Sequence, residues 1–146
     1  MQRLTLDHAN MIIKAALKKS HEMKFAPLSV AVLDNGGHLV AFQREDRSGI
    51  LRFDIAFGKA WGALGMGLGS RTLFDRSSKQ PMFFTALAAA SQGRFVPNPG
   101  GVLIKDADGD IIGAVGISGD TSDNDEICCV AGIEAAGFNP DTGGAA

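Results

Sequence analysis

The 146-residue sequence contains no tyrosine and a single tryptophan, Trp61. Few amphipathic rings are therefore present on which bases could stack, and a single-strand nucleic-acid binder loses its main support. Charge of one sign is also missing. Fourteen basic against 16 acidic residues leave a formal net charge of −2, with no cationic field to gather phosphate backbones or anionic lipid. Nucleic acid and membrane are thus not expected partners. No apolar run approaches the roughly 20 residues that cross a bilayer. The opening Met1-Gln2-Arg3-Leu4-Thr5 lacks the basic start, apolar middle and cleavage site of a signal peptide, so a cytoplasmic location is expected. Cysteine is scarce, and Cys128 and Cys129 are adjacent, a spacing that suits neither a disulfide framework nor a zinc site. Both read as helix packing residues.

What is present suits one domain, expected over residues 1–138, with a flexible tail at 139–146. Thr5 caps a helix carrying Ala9, Ile12, Ile13, Ala16 and Leu17 at helical spacing. The strand formers Leu28 to Leu33 run through Asp34-Asn35-Gly36-Gly37 into His38 to Arg44, a hairpin signal. A second helix, with Phe53, Ala56, Phe57, Ala60, Trp61 and Leu64 on its apolar face, ends among glycines. Short helical pieces follow from Ser70 to Gln92, with Pro81 at a helix start. Val102-Leu103-Ile104 then passes through Asp106-Ala107-Asp108-Gly109 into Ile111 to Ser118, a second hairpin. A last helix is expected to begin near Asp123, with Glu126 completing a capping box, and to end near Gly137. The order helix, hairpin, helices, hairpin, helix predicts an α/β (α+β) domain with an antiparallel sheet rather than a doubly wound one.

Few motifs carry chemistry by themselves. Asp106-Ala107-Asp108-Gly109-Asp110 has its glycine fourth and strands on both sides, unlike an EF-hand calcium loop. Gly65-Met66-Gly67-Leu68-Gly69 follows a helix and lacks the P-loop lysine. Three histidines remain as metal candidates. His8 reads as a solvated residue of the first helix. His21, one turn past Leu17, either presents its imidazole to a planar cofactor or caps the helix carbonyls. His38 opens a strand on the face of Val40, Phe42 and Arg44. Charges beside apolar segments either pair internally or bind something. Arg44, Asp46, Asp54 and Lys59 form one such set, and Asp125 with Glu126 another.

Several segments together carry a family resemblance. They are Ser29-Val30-Ala31-Val32 running into Gly36-Gly37-His38-Leu39-Val40, Arg44 with Asp46, Asp54-Ile55-Ala56 with Lys59-Ala60, Pro99-Gly100-Gly101, and Gly113 to Gly119 followed by Asp125-Glu126. From Leu4 to Gly137 the chain resembles the GlcG/HbpS family, which also supplies the C-terminal domain of PduO-type proteins. The resemblance implies a profilin-like fold, a five-stranded antiparallel sheet flanked by helices, and a homo-oligomer built from dimers, often an octamer. Some members bind haem. One expectation is therefore an oligomer holding haem or a related tetrapyrrole at subunit interfaces, with His21 or His38 as iron ligand. The other is an enzyme or accessory protein of catabolism acting on a small carboxylate or aromatic compound. There Arg44 or Lys59 fixes a carboxylate, His38, Asp125 or Glu126 moves a proton, Gly100 and Gly101 donate N–H groups to an oxyanion, and Asp46 and Asp54 complete the binding set.

Overall fold

The structure, a computed structural model, describes residues 1–144. Helix α1 (Leu6–Met23) starts on Thr5, whose hydroxyl accepts from the His8 N–H while His8 Nδ1 accepts from the Thr5 N–H. Histidine here fills the capping-box position that Glu or Gln usually occupies. Ala9, Ile12, Ile13 and Ala16 are buried, as the helical spacing predicts.

Strands β1 (Ser29–Asp34) and β2 (Leu39–Arg44) form the first hairpin. Strands β3 (Gly101–Lys105) and β4 (Ile111–Ser118) form the second. Both turns use one device, an aspartate that opens the turn and folds its carboxylate back over it. Asp34 Oδ1 accepts from the Gly36 and His38 N–H groups at 2.9 and 3.0 Å. Asp106 Oδ1 accepts from those of Asp108 and Asp110 at 3.0 and 2.9 Å. The fourth residue of each turn is a glycine at positive φ, +82° at Gly37 and +84° at Gly109, where a side chain would be strained.

The strands lie in the order β2-β1-β4-β3-β5, all antiparallel. The fifth, β5 (Asn139–Asp141), corrects the expected tail: instead of fraying from residue 139, the chain pairs with β3. Pro140 is tolerated because β5 is an edge strand, and Lys105 Nζ holds Asp141 Oδ2 at 2.7 Å. The last part of that expected tail, Ala145 and Ala146, lies outside the described residues. A bulge also corrects the alternation expected along β2. Val32 pairs with Ala41 and Leu33 with Leu39, which leaves Val40 unpaired. Val40 and Ala41 both pack on one side of the sheet and Phe42 on the other, so the face expected to run from His38 to Arg44 is broken.

The two faces of the sheet are packed differently. Helices α1 and α5 (Ser122–Ala135) cover one face through large aliphatics, among them Ile12, Val30, Val115, Ile117 and Ile133. Helix α2 (Leu51–Met66) covers the other through small residues, with Ala56, Ala60 and Ala63 against Ala31 and Ala114. At Gly116 a Cβ would overlap the Ala56 carbonyl oxygen, so the helix backbone lies directly on the strand. Helices α3 (Ser70–Lys79) and α4 (Pro81–Ala90) build a satellite around Leu73, Phe84 and Phe95. The start of α5 differs from expectation: Thr121 is the N-cap and its hydroxyl accepts from the Asn124 N–H at 3.2 Å. Asp123 therefore sits inside the first turn rather than capping it. Among the described residues, no helix is long and apolar enough to cross a membrane.

Candidate functional site

Helix α2 approaches the sheet so closely that Lys59, halfway along it, is carried into the interior. Its ammonium donates to the Ile117 carbonyl at 2.9 Å and to Asp125 Oδ2 at 3.1 Å. The Lys59 and Asp125 side chains are only 3% and 2% exposed. The second oxygen of Asp125 accepts from the Asp120 N–H at 3.0 Å. Each buried charge therefore has an opposite charge and a further hydrogen bond, the condition under which such a pair is tolerated. Burial pushes the Asp125 carboxyl up, against the pull of the Lys59 ammonium.

Gly100 and Gly101 serve this packing. Gly100 has φ +111°, and a Cβ there would come within 2.9 Å of Lys59 Nζ; a side chain would take the space of the ammonium. Gly101 donates its N–H to Ser70 Oγ at 2.7 Å, and a Cβ on it would overlap the Lys59 carbonyl. Its N–H is thus already committed, which corrects the expectation that it faces an oxyanion. Burial raises both thiols, Cys128 to about 12, and a thiol so poised is not a nucleophile at neutral pH.

A second arrangement lies at the rim, where the end of α1 meets the end of β2. His21 Nε2 is 2.5 Å from Glu45 Oε2. The other Glu45 oxygen accepts from the Leu28 N–H at 2.8 Å, and the Glu45 N–H donates to the Leu28 carbonyl at 2.9 Å. Glu45 is thus fixed to the start of β1 before it meets the imidazole. His21 and Glu45, with Phe25, Pro27, Arg44 and Asp46, line a cavity of about 500 Å³. Arg44 and Asp46 are exposed, and neither makes an ion pair among the described residues. The ring of His21 does not cap the helix, since Lys24, at φ +58°, closes α1 with its own N–H.

The structure therefore divides the two expected charge sets. Lys59 leaves Arg44 and Asp46 at the rim and joins Asp125 inside. Asp54 is exposed on α2 and pairs with nothing among the described residues. Glu126 parts from Asp125 and accepts from Arg71 Nε at 3.1 and 3.0 Å, while Arg71 also pairs with Asp123. His38 is 80% exposed on the first hairpin turn, with Nδ1 at 3.1 Å from Asp34 Oδ1, and does not line the cavity at the rim. His8 packs its ring edge-on against Phe138 at 4.8 Å. Glu45 and Arg71 were not legible as site residues, because a charge within a charged run, as at Glu45, or at a helix start, as at Arg71, reads as solvated surface.

A five-stranded antiparallel sheet between helices, with a histidine-bearing groove on its rim, defines a small α/β domain. The chain belongs to the GlcG/HbpS family: the model described as "Haem degrading protein HbpS-like" matches residues 4–134. It is similar to the "15.0 kDa protein in dhaT-dhaS intergenic region" of Citrobacter freundii, at 30% identity over 124 residues, which is 85% of each chain. Among solved structures it resembles a PduOC:heme complex, with 25% identity, a TM-score of 0.84 and coverage of 94% of this chain and 98% of that one. It also resembles the Klebsiella pneumoniae protein ORFY, with 28% identity, a TM-score of 0.82 and coverage of 94% and 92%.

Proposed function

We propose that the protein binds haem or a related tetrapyrrole in the groove between α1 and β2, with His21 as the iron ligand. Family membership and the haem complex of PduOC support the class of ligand. The observation that carries the reading to a site is the His21–Glu45 contact at the edge of the 500 Å³ cavity. An imidazole that ligates a metal usually has its other ring nitrogen held by a carboxylate or carbonyl, and Glu45 supplies that partner. His21 Nδ1 has no hydrogen-bond partner among the described residues.

The donor set fits the group. Phe25 and Pro27 offer apolar surface to a macrocycle, and the exposed Arg44 guanidinium suits a propionate. Bound haem would supply an iron centre whose redox and ligand chemistry the surrounding residues tune. The protein's own part is to orient the imidazole through Glu45 and to neutralise a carboxylate through Arg44. His21 is 69% exposed, so one chain shields a planar ligand on one side only. A second copy of the chain closing the other side makes the homo-oligomer part of this reading.

Titration of the purified protein with hemin, followed at the Soret band, tests the proposal. A saturable shift is expected, weakened severalfold in Arg44→Gln. A shift that rises without saturation overturns it.

A further inference from the structure

Beside the buried Lys59–Asp125 pair lies another cavity, of about 270 Å³, between the first turn of α2 and the start of α5. Its polar lining is unbalanced in a way that points to a ligand. Each oxygen of the two acids already accepts a hydrogen bond: those of Asp125 from the Lys59 ammonium and the Asp120 N–H. Those of Asp120 accept from the Ala26 and Thr121 N–H groups and from the Asn124 amide. The cations keep donors to spare. Among the described residues, Arg52 commits one of its five N–H donors, to Ser118 Oγ at 3.0 Å. Lys59 carries three and commits two. Asn98, on the same lining, has no side-chain partner among the described residues.

Uncommitted donors on two cations, beside acids that already accept, suit a ligand that brings acceptors. The two cations and two acids of the lining cancel, so recognition rests on placed hydrogen bonds rather than on net charge. Ile55 and Val96 complete the wall with apolar surface, which gives room for a short alkyl group. The volume lies below that of a usual drug-sized pocket.

We propose that this cavity binds a small monocarboxylate, its oxygens held by Arg52 and Lys59 and its alkyl end against Ile55 and Val96. The site is separate from the α1–β2 groove and does not depend on haem binding there.

Calorimetric titration of the full chain with propionate at constant ionic strength tests it, with propionamide as the neutral isostere. Propionate is expected to bind saturably, and propionamide at least tenfold more weakly. Arg52→Gln is expected to lose at least tenfold in propionate affinity, whereas His21→Ala keeps the wild-type value. Methyl NMR of the unaltered protein gives a readout that needs no variant to fold: propionate shifts the Ile55 and Val96 methyls and leaves that of Leu17, on α1, in place. Equal binding of acid and amide, unchanged affinity in Arg52→Gln, or methyl shifts confined to Leu17 would overturn the assignment.

Discussion

Of the acid–base pairs that tie helices to their neighbours in this molecule, Lys59–Asp125 and His21–Glu45 differ in almost every physical respect. Lys59–Asp125 joins α2 to α5 in the interior, with the two side chains almost fully buried and a hydrogen bond on each oxygen of the acid. His21–Glu45 joins α1 to the end of β2 in the open, with the imidazole 69% exposed. A buried pair has large desolvation on both sides, so removal of one partner leaves a charge with no compensation. An exposed pair is worth little to stability, and for that reason its imidazole is free to exchange solvent for a ligand. Asp120 stands between the two: its side chain holds the Ala26 N–H, between Phe25 and Pro27 of the groove, and its own N–H donates to Asp125.

The contrast is broken most directly by Asp125→Ala. Loss of the carboxylate strands the Lys59 ammonium and is expected to cost about 3–5 kcal/mol in urea unfolding. The paired replacement Lys59→Met with Asp125→Leu is expected to recover much of that loss; equal instability of the single and double variants would contradict the account of the pair. Gly116→Ala tests why Lys59 is buried at all. The added methyl displaces α2 from the sheet and is expected to cost about 3 kcal/mol, the upper part of the usual overpacking range.

Acid unfolding addresses the residue between the two pairs. The backbone N–H of Ala26, followed by Asn124 and the Thr121 N–H, holds the Asp120 carboxyl below its ordinary 3.8 in the folded protein. Its contribution to stability is therefore complete above that value and disappears as pH falls through the lower folded one. Asp120→Asn is expected to flatten the loss of stability below pH 3.8; an unchanged slope would remove Asp120 from the linkage. The smallest effect is expected at the rim, where His21→Ala changes unfolding free energy by less than about 0.5 kcal/mol. A cost approaching that of Asp125→Ala would erase the comparison.

Much of the fold was legible because its signals are local. The two turns follow from an aspartate three residues before a glycine, and α4 follows from Pro81 at its start. Strand β5 was not legible, since three residues containing a proline carry no period, and its pairing with β3 is decided only when that edge exists. The β2 bulge was hidden for a related reason: His38 to Arg44 alternates plausibly in either register, and contacts on both sides of the sheet decide where Val40 goes. For the site, its place beside an apolar segment marked Lys59, in one set with Arg44, Asp46 and Asp54. Its partner, 66 residues away, was assigned to a separate set because sequence neighbours were grouped. Arg52 and Glu45 gave no signal, because a charge at a helix start or within a charged run is ordinarily solvated.

The claim that the exposed pair is the ligand's place is tested most directly by hemin titration of His21→Ala beside His38→Ala, with the Soret band as readout. The account predicts that His21→Ala loses the saturable shift while His38→Ala retains it with wild-type affinity. A His21→Ala protein that titrates like the wild type would contradict it.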